Sequence, residues 1–283
     1  MAAMRAERNA QNSSEPNLVK GTFSFQELPG LMSLLVVGEG VPLVVFPGLS
    51  RDSRPLTPRI AARQAAGYRG LARVTGRSVH VLYRPRKLHP ALTMSELAAA
   101  HAKALDELFA APIDLMGVST GGAIALQLAV DRSKTLHRLI VAGAAGSLGE
   151  SGRCRLEEYG RLISQGKSGA RLLASVLAGP MLRWPATLML WLEEWMERDL
   201  DPSDMLATIH AECGFNVYPS LSEITAPTLV IAGENDRAFS PEQFRATADG
   251  IPNAKLVLYR NRGHVTAMFD PRFGRDATAF LND

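Results

Sequence analysis

The stretch IDLMGVSTGGAIALQLAV, Ile113 to Val130, changes character at its middle. An apolar run of strand type closes at Gly117, a single Ser119 stands among glycines, and apolar residues then recur at helical spacing. Gly117-Val118-Ser119-Thr120-Gly121 fits the pattern G-x-S-x-G. A turn this sharp between strand and helix strains the serine backbone, and the flanking glycines let neighbouring chain approach where a Cβ would clash. The hydroxyl is then lifted to the end of a sheet, with the positive end of a helix beneath it. A plainer reading is that Ser119 only caps the helix. Which reading holds depends on what the rest of the chain brings to that serine.

Around this stretch, short β-rich runs alternate with helical patterns. GTFSFQEL and LMSLLVVGEG read as two strands joined at Pro29-Gly30, and PLVVFPG as a strand buried on both faces. Pro58 to Val74 reads as a helix and SVHVLYR as a strand. TMSELAAAHAKALDELF reads as a second helix, capped by Thr93 or Ser95. LHRLIVAGAA, PTLVIAGEND and AKLVLYRNRGH continue the series. Strand, helix, strand in this order predicts an α/β fold: a mostly parallel eight-stranded sheet flanked by helices, its first two strands an antiparallel edge. From about Glu150 to Ser220 the alternation stops and only helical patterns remain, interrupted at Gly179-Pro180 and Trp184-Pro185. We expect a core of residues 21–149 and 221–283, a helical insertion of residues 150–220, and a disordered leader over residues 1–20.

Composition excludes several classes. The 283 residues are 46% hydrophobic and 21% charged, as in an ordinary globular chain able to bury a large core. A net charge of +3 without a basic block, and only 6% aromatic residues, argue against nucleic-acid binding. No apolar run approaches the ~18 residues of a membrane span. The N-terminus has no apolar signal region, and Cys154 and Cys213 lack metal-ligand spacing and read as reduced thiols. These features point to the cytoplasm, with neither metal nor cofactor.

Ligands of such a sheet bind outside the carboxyl ends of its strands. Besides Ser119, two later strand ends carry reactive side chains: Asp236 in the Gly-Glu-Asn-Asp loop, and His264 after Arg-Gly. A serine hydroxyl is a poor nucleophile until an imidazole takes its proton, and the imidazole needs a carboxylate to set its tautomer. The order Ser…Asp…His resembles that of the α/β-hydrolase superfamily, and the likeness runs from about Gly21 to the C-terminus. The resemblance is to the branch that bears a cap, which residues 150–220 would form. It implies Ser119 as nucleophile, His264 as general base and acid, and Asp236 as the orienting carboxylate. It also implies an oxyanion hole made by the backbone N–H groups of Thr120 and Leu49. Relatives often carry His-Gly-x in the second of these loops, whereas Phe46-Pro47-Gly48-Leu49 keeps the glycine and lacks the histidine.

By that resemblance the chain is expected to be a serine esterase: it would cleave an apolar acyl substrate through an acyl-serine. C–C bond, thioester and lactone hydrolysis, or a non-hydrolytic ligand-binding or cyclase-type role, stay open, because specificity resides in the pocket. Trp184, Met189, Trp191 and Val265 are candidate pocket residues, with packing of the cap onto itself the equal alternative. Arg84 and Arg86, with Lys87, either meet a carboxylate or acidic partner at the rim or are solvated surface charge. A homodimer is also left open. Asp114 lies at the wrong end of its strand, and the other histidines read as packing or surface.

Overall fold

Residues such as Leu43–Phe46 and Leu229–Ala232 form unbroken apolar runs, which only a sheet covered on both faces can bury. In the computed structural model, which describes residues 23–179 and 182–283, they lie in the interior of an eight-stranded sheet. The expected leader, residues 1–20, lies outside the described residues. The strands are β1 (Phe23–Leu28), β2 (Met32–Val37), β3 (Pro42–Phe46), β4 (Ser78–Leu82), β5 (Ile113–Val118), β6 (Leu136–Ala142), β7 (Thr228–Gly233) and β8 (Ala254–Tyr259). Their spatial order is β1-β2-β4-β3-β5-β6-β7-β8. β2 runs antiparallel to both neighbours, and every pairing from β4 to β8 is parallel.

Alternation along each strand divides the core in two. Val44, Phe46, Leu115, Leu139, Val141 and Val230 face one layer of helices. That layer holds α2 (Met94–Leu108), α3 (Thr120–Asp131) and α8 (Pro241–Gly250). Leu43, Val45, Met116, Ile140 and Ile231 face the other, formed by α1 (Pro58–Thr75) and α10 (Pro271–Asn282). Thr93 opens α2 with a reciprocal capping box, since its hydroxyl takes the Glu96 amide and the Glu96 carboxylate takes the Thr93 amide. At the amino edge of the sheet, the buried Asp114 binds Arg77 at 2.9 Å and His137 at 2.8 Å. Arg77 also donates to the Leu281 carbonyl, which ties α10 down. Asp114 is therefore structural and far from the carboxyl edge.

The helical insertion lies between β6 and β7 and comprises α4 (Glu150–Ser164), α5 (Ala170–Leu177), α6 (Arg183–Met196) and α7 (Ser203–Cys213). α4 and α7 share a small core of Tyr159, Ile163, Met205 and Ile209. The sequence places a break at Trp184-Pro185, but α6 runs through it. Pro185 falls in the first turn, where its missing N–H would have had no helical partner. α6 is inside out. Its inner face carries Thr187, Leu190 and Glu194, while Trp184, Leu188, Met189, Trp191, Trp195 and Met196 are exposed. Among the described residues, no helix is long and apolar enough to cross a membrane.

Candidate functional site

Register decides which strand ends meet. Phe46 of β3 pairs with Gly117 of β5, and Val118 of β5 with Ala142 of β6, so the loops that follow these strands share one edge. Ser119 occupies the turn between β5 and α3 with φ 53° and ψ −121°, a backbone conformation that costs a residue with a side chain about 1–3 kcal/mol. The crossing of β5 and α3 is tight. A Cβ on Gly121 would collide with the Phe46 carbonyl, and one on Gly117 would come within 2.5 Å of the Gly121 oxygen. Ser119 makes no capping hydrogen bond to the helix it precedes. The plainer reading of this serine is thereby set aside.

Its hydroxyl turns instead toward His264, whose Nε2 lies 3.0 Å from Ser119 Oγ. His264 opens the short helix α9 (His264–Met268) after β8 and is buried. Its Nδ1 lies 2.8 Å from Asp236 Oδ2 in the loop after β7. Asp236 Oδ1 accepts the Ala238 and Phe239 amides at 2.8 and 3.2 Å, which fixes the carboxylate plane. Burial opposes a charged imidazole, but the Asp236 charge and hydrogen bond, helped by Glu212, outweigh it and hold His264 above the ordinary histidine range. Glu234, a rival for the acid position, is exposed.

Leu49 and Thr120 both line the cavity in front of Ser119. Among the described residues, neither backbone N–H has a hydrogen-bond acceptor. The Leu49 loop is held from behind by Arg84, which donates to the carbonyls of Gly48 at 2.8 Å and of Pro47 and Ser50 at 3.4 Å. Burial draws this guanidinium down to about 10, against the pull of Glu212 and Asp204. Arg86 pairs with Glu27 at 2.7 Å and donates to Ser33 Oγ. Both arginines are thus bound internally rather than solvated or free for a partner. Sequence could not show this, because the acceptors of Arg84 are backbone carbonyls of a loop.

The cavity measures about 330 Å³ and is walled mostly by apolar side chains, including Leu148, Leu156, Leu172, Leu173 and Leu177. Val265 lines it, as expected. Trp184, Met189 and Trp191 do not. They sit on the outer face of α6, with Trp184 84% exposed, while Leu190 and Glu194 of the same helix line the cavity. A buried carboxyl, Glu212 of α7, also reaches the wall and was not foreseen. One Glu in the helical stretch IHAECG carries no signal that sets it apart. Among the described residues, no three side chains of metal-ligating type come together.

A sequence profile described as "Alpha/beta hydrolase family" matches residues 36–276. A protein of Pseudomonas syringae pv. syringae (strain B728a) is 31% identical over 218 residues, covering 74% of this chain and 80% of that one. It bears the name "Putative carbamate hydrolase RutD". Among solved structures, the alpha/beta hydrolase MGS-M2 from a Medee basin deep-sea metagenome library has a TM-score of 0.74 at 15% identity, covering 95% of this chain and 98% of its own. The enol-lactonase from Burkholderia xenovorans LB400 has a TM-score of 0.67 at 19% identity, over 95% of this chain and 100% of its own. At these identities the two structures speak for the fold alone.

Proposed function

The chain belongs to the alpha/beta hydrolase family, and we propose that it is a serine hydrolase cleaving a carboxylic ester or related acyl bond of an apolar small molecule. The observation that carries this reading is the 3.0 Å approach of His264 Nε2 to a strained, uncapped Ser119 hydroxyl. In the proposed mechanism Nε2 accepts the Ser119 proton as Oγ attacks the substrate carbonyl. The carbonyl oxygen becomes an oxyanion held by the Leu49 and Thr120 amides, with the N-terminus of α3 adding to the favourable field. His264 then gives its proton to the leaving group, and an acyl-serine remains. Water, deprotonated by the same imidazole, resolves the acyl-serine. Asp236 keeps the proton on Nδ1 throughout and stabilises the imidazolium. The insertion would act as a cap that roofs an apolar cavity of a size suited to a small ligand.

A second reading, cleavage of a carbamate-type acyl bond, is favoured by the name of the 31% identical relative. The same nucleophile and oxyanion hole serve both carbonyls, so the two differ in the pocket. The test is labelling of Ser119 by a fluorophosphonate, with turnover of p-nitrophenyl esters set against a matched aryl carbamate. Ser119→Ala is expected to abolish labelling and lower turnover by about 10⁶, the scale of a serine-protease nucleophile. An unlabelled serine would defeat the proposal, and ligand-induced thermal stabilisation without turnover would favour a binding role.

A further inference from the structure

Glu212 is the buried acid for which the steps above have no task. It lies near the end of α7, the last helix of the insertion, and is only 3% exposed. Its Oε2 accepts the Thr120 hydroxyl at 2.7 Å. Among the described residues no group donates to its Oε1, and Glu212 lines the cavity together with Ser119 and His264. A carboxyl oxygen in a low-dielectric wall costs free energy unless a partner completes it, and the cavity that Glu212 lines is where substrate would lie.

The groups facing it come from three elements: Thr120 from α3, Arg84 from the loop after β4, and His264 from α9. Arg84 and His264 favour the ionised carboxylate, as does the Thr120 hydrogen bond, but burial outweighs them and holds Glu212 above the usual carboxylate range. Asp204, on the same helix, accepts the Leu88 amide and faces Arg84. The other charged residues of the wall stand on different elements. Arg51 is committed to the Arg198 and Leu200 carbonyls, Glu194 accepts Ser168 and the Gly169 amide, and Arg155 belongs to α4. Glu193 belongs to α6, and Glu197 follows its last residue.

We infer that Glu212 is a specificity-determining residue: its open oxygen hydrogen-bonds an uncharged polar group next to the reacting carbonyl and turns away acyl groups that carry a carboxylate there. The inference rests on the acyl-serine reading of the site. A second anion placed a few ångströms from a half-screened carboxylate loses about tenfold or more in rate. A role limited to bracing Thr120 would slow all substrates alike, so the ratio between two substrates separates the two roles.

The experiment measures the second-order rates at which Ser119 is labelled by two matched fluorophosphonates, one with a butyl chain and one with that chain ended by a carboxylate. Glu212→Gln retains an acceptor for the Thr120 hydroxyl and removes the charge. In the unaltered protein, the neutral reagent should react about tenfold faster, and the preference should widen as pH rises and Glu212 ionises. In Glu212→Gln the preference should fall to within about threefold and lose its pH dependence. Titration of His264 acts on both reagents and cancels in the ratio. An unchanged preference in the variant overturns the inference and leaves the acyl-serine reading standing. No labelling by either reagent removes the acyl-serine reading, and this inference with it.

Discussion

Asp236→Asn reverses a single hydrogen-bond polarity, and its cost follows from the groups around the carboxylate. Oδ1 takes two backbone amides, from Ala238 and Phe239, and Oδ2 takes His264 Nδ1. An asparagine keeps its oxygen toward the two amides, so its NH₂ must face Nδ1. That contact stabilises the tautomer with the proton on Nε2, which cannot accept the Ser119 proton. Flipping the amide to restore the working tautomer would deprive the part-buried Ala238 and buried Phe239 N–H groups of their acceptor, at about 1–3 kcal/mol each. A penalty of roughly 2–6 kcal/mol leaves the working form at about one part in 30 to one part in 10⁴. Loss of the charge that stabilises the imidazolium adds to this, and about 10⁴ in kcat is the loss seen when other Ser-His-Asp sites are altered in this way. The assay is p-nitrophenyl butyrate hydrolysis, with the thermal midpoint as the control for folding. A folded variant that loses less than about tenfold would refute the assigned role of Asp236.

The remaining expectations concern the other parts of the site. His264 is held above the ordinary value of roughly 6.5, so its base form is lost as pH falls through that raised value. The acid limb of kcat/KM should therefore lie above 6.5 or so, and a limb at or below that value counts against the Asp236–His264 pair. Arg84→Ala removes the donors that hold Pro47, Gly48 and Ser50. It should lower kcat by about 10–100-fold with little change in KM, less than the roughly 10²–10³ for outright loss of one oxyanion-hole donor, and kcat within twofold or so of the parent would show that the loop holds itself. Gly121→Ala drives a methyl into the Phe46 carbonyl and should destabilise by about 1–3 kcal/mol or more while slowing Ser119 labelling; an unchanged melting curve would contradict the crossing geometry. Trp184→Ser, on the exposed face of α6, should change stability by less than about 0.5 kcal/mol and leave KM intact, whereas a large rise in KM would return that tryptophan to the pocket.

The fold could be read from the chain because its signals are local. Apolar runs of strand length ending in Gly or Asp, separated by helical patterns, leave few arrangements other than a mostly parallel sheet, and the eight strands are found in such a sheet. The same reading set Ser119, Asp236 and His264 at strand ends, and register carries them to within hydrogen-bond distance. What stayed hidden depends on which side of an element faces inward. α6 has apolar residues around most of its circumference, so periodicity could not tell that Leu190 and Glu194 point to the cavity while Trp184 and Met189 point away. Arg84 and Glu212 were misjudged or missed for a related reason. A charged residue in one sequence looks solvated until the fold shows it enclosed, and their partners are a loop backbone and a hydroxyl far away in the chain.

The placement of the tryptophans decides what fluorescence can report. All three belong to α6, and each is at least 46% exposed, so the emission of the native chain should already resemble that of indole in water. Loss of the sheet would change that signal little, while loosening of the insertion would first change the part that comes from the half-covered Trp191 and Trp195. Denaturation followed by tryptophan emission should then part company with far-UV ellipticity, and the midpoint of the emission curve would measure the roof of the cavity rather than the enzyme beneath it.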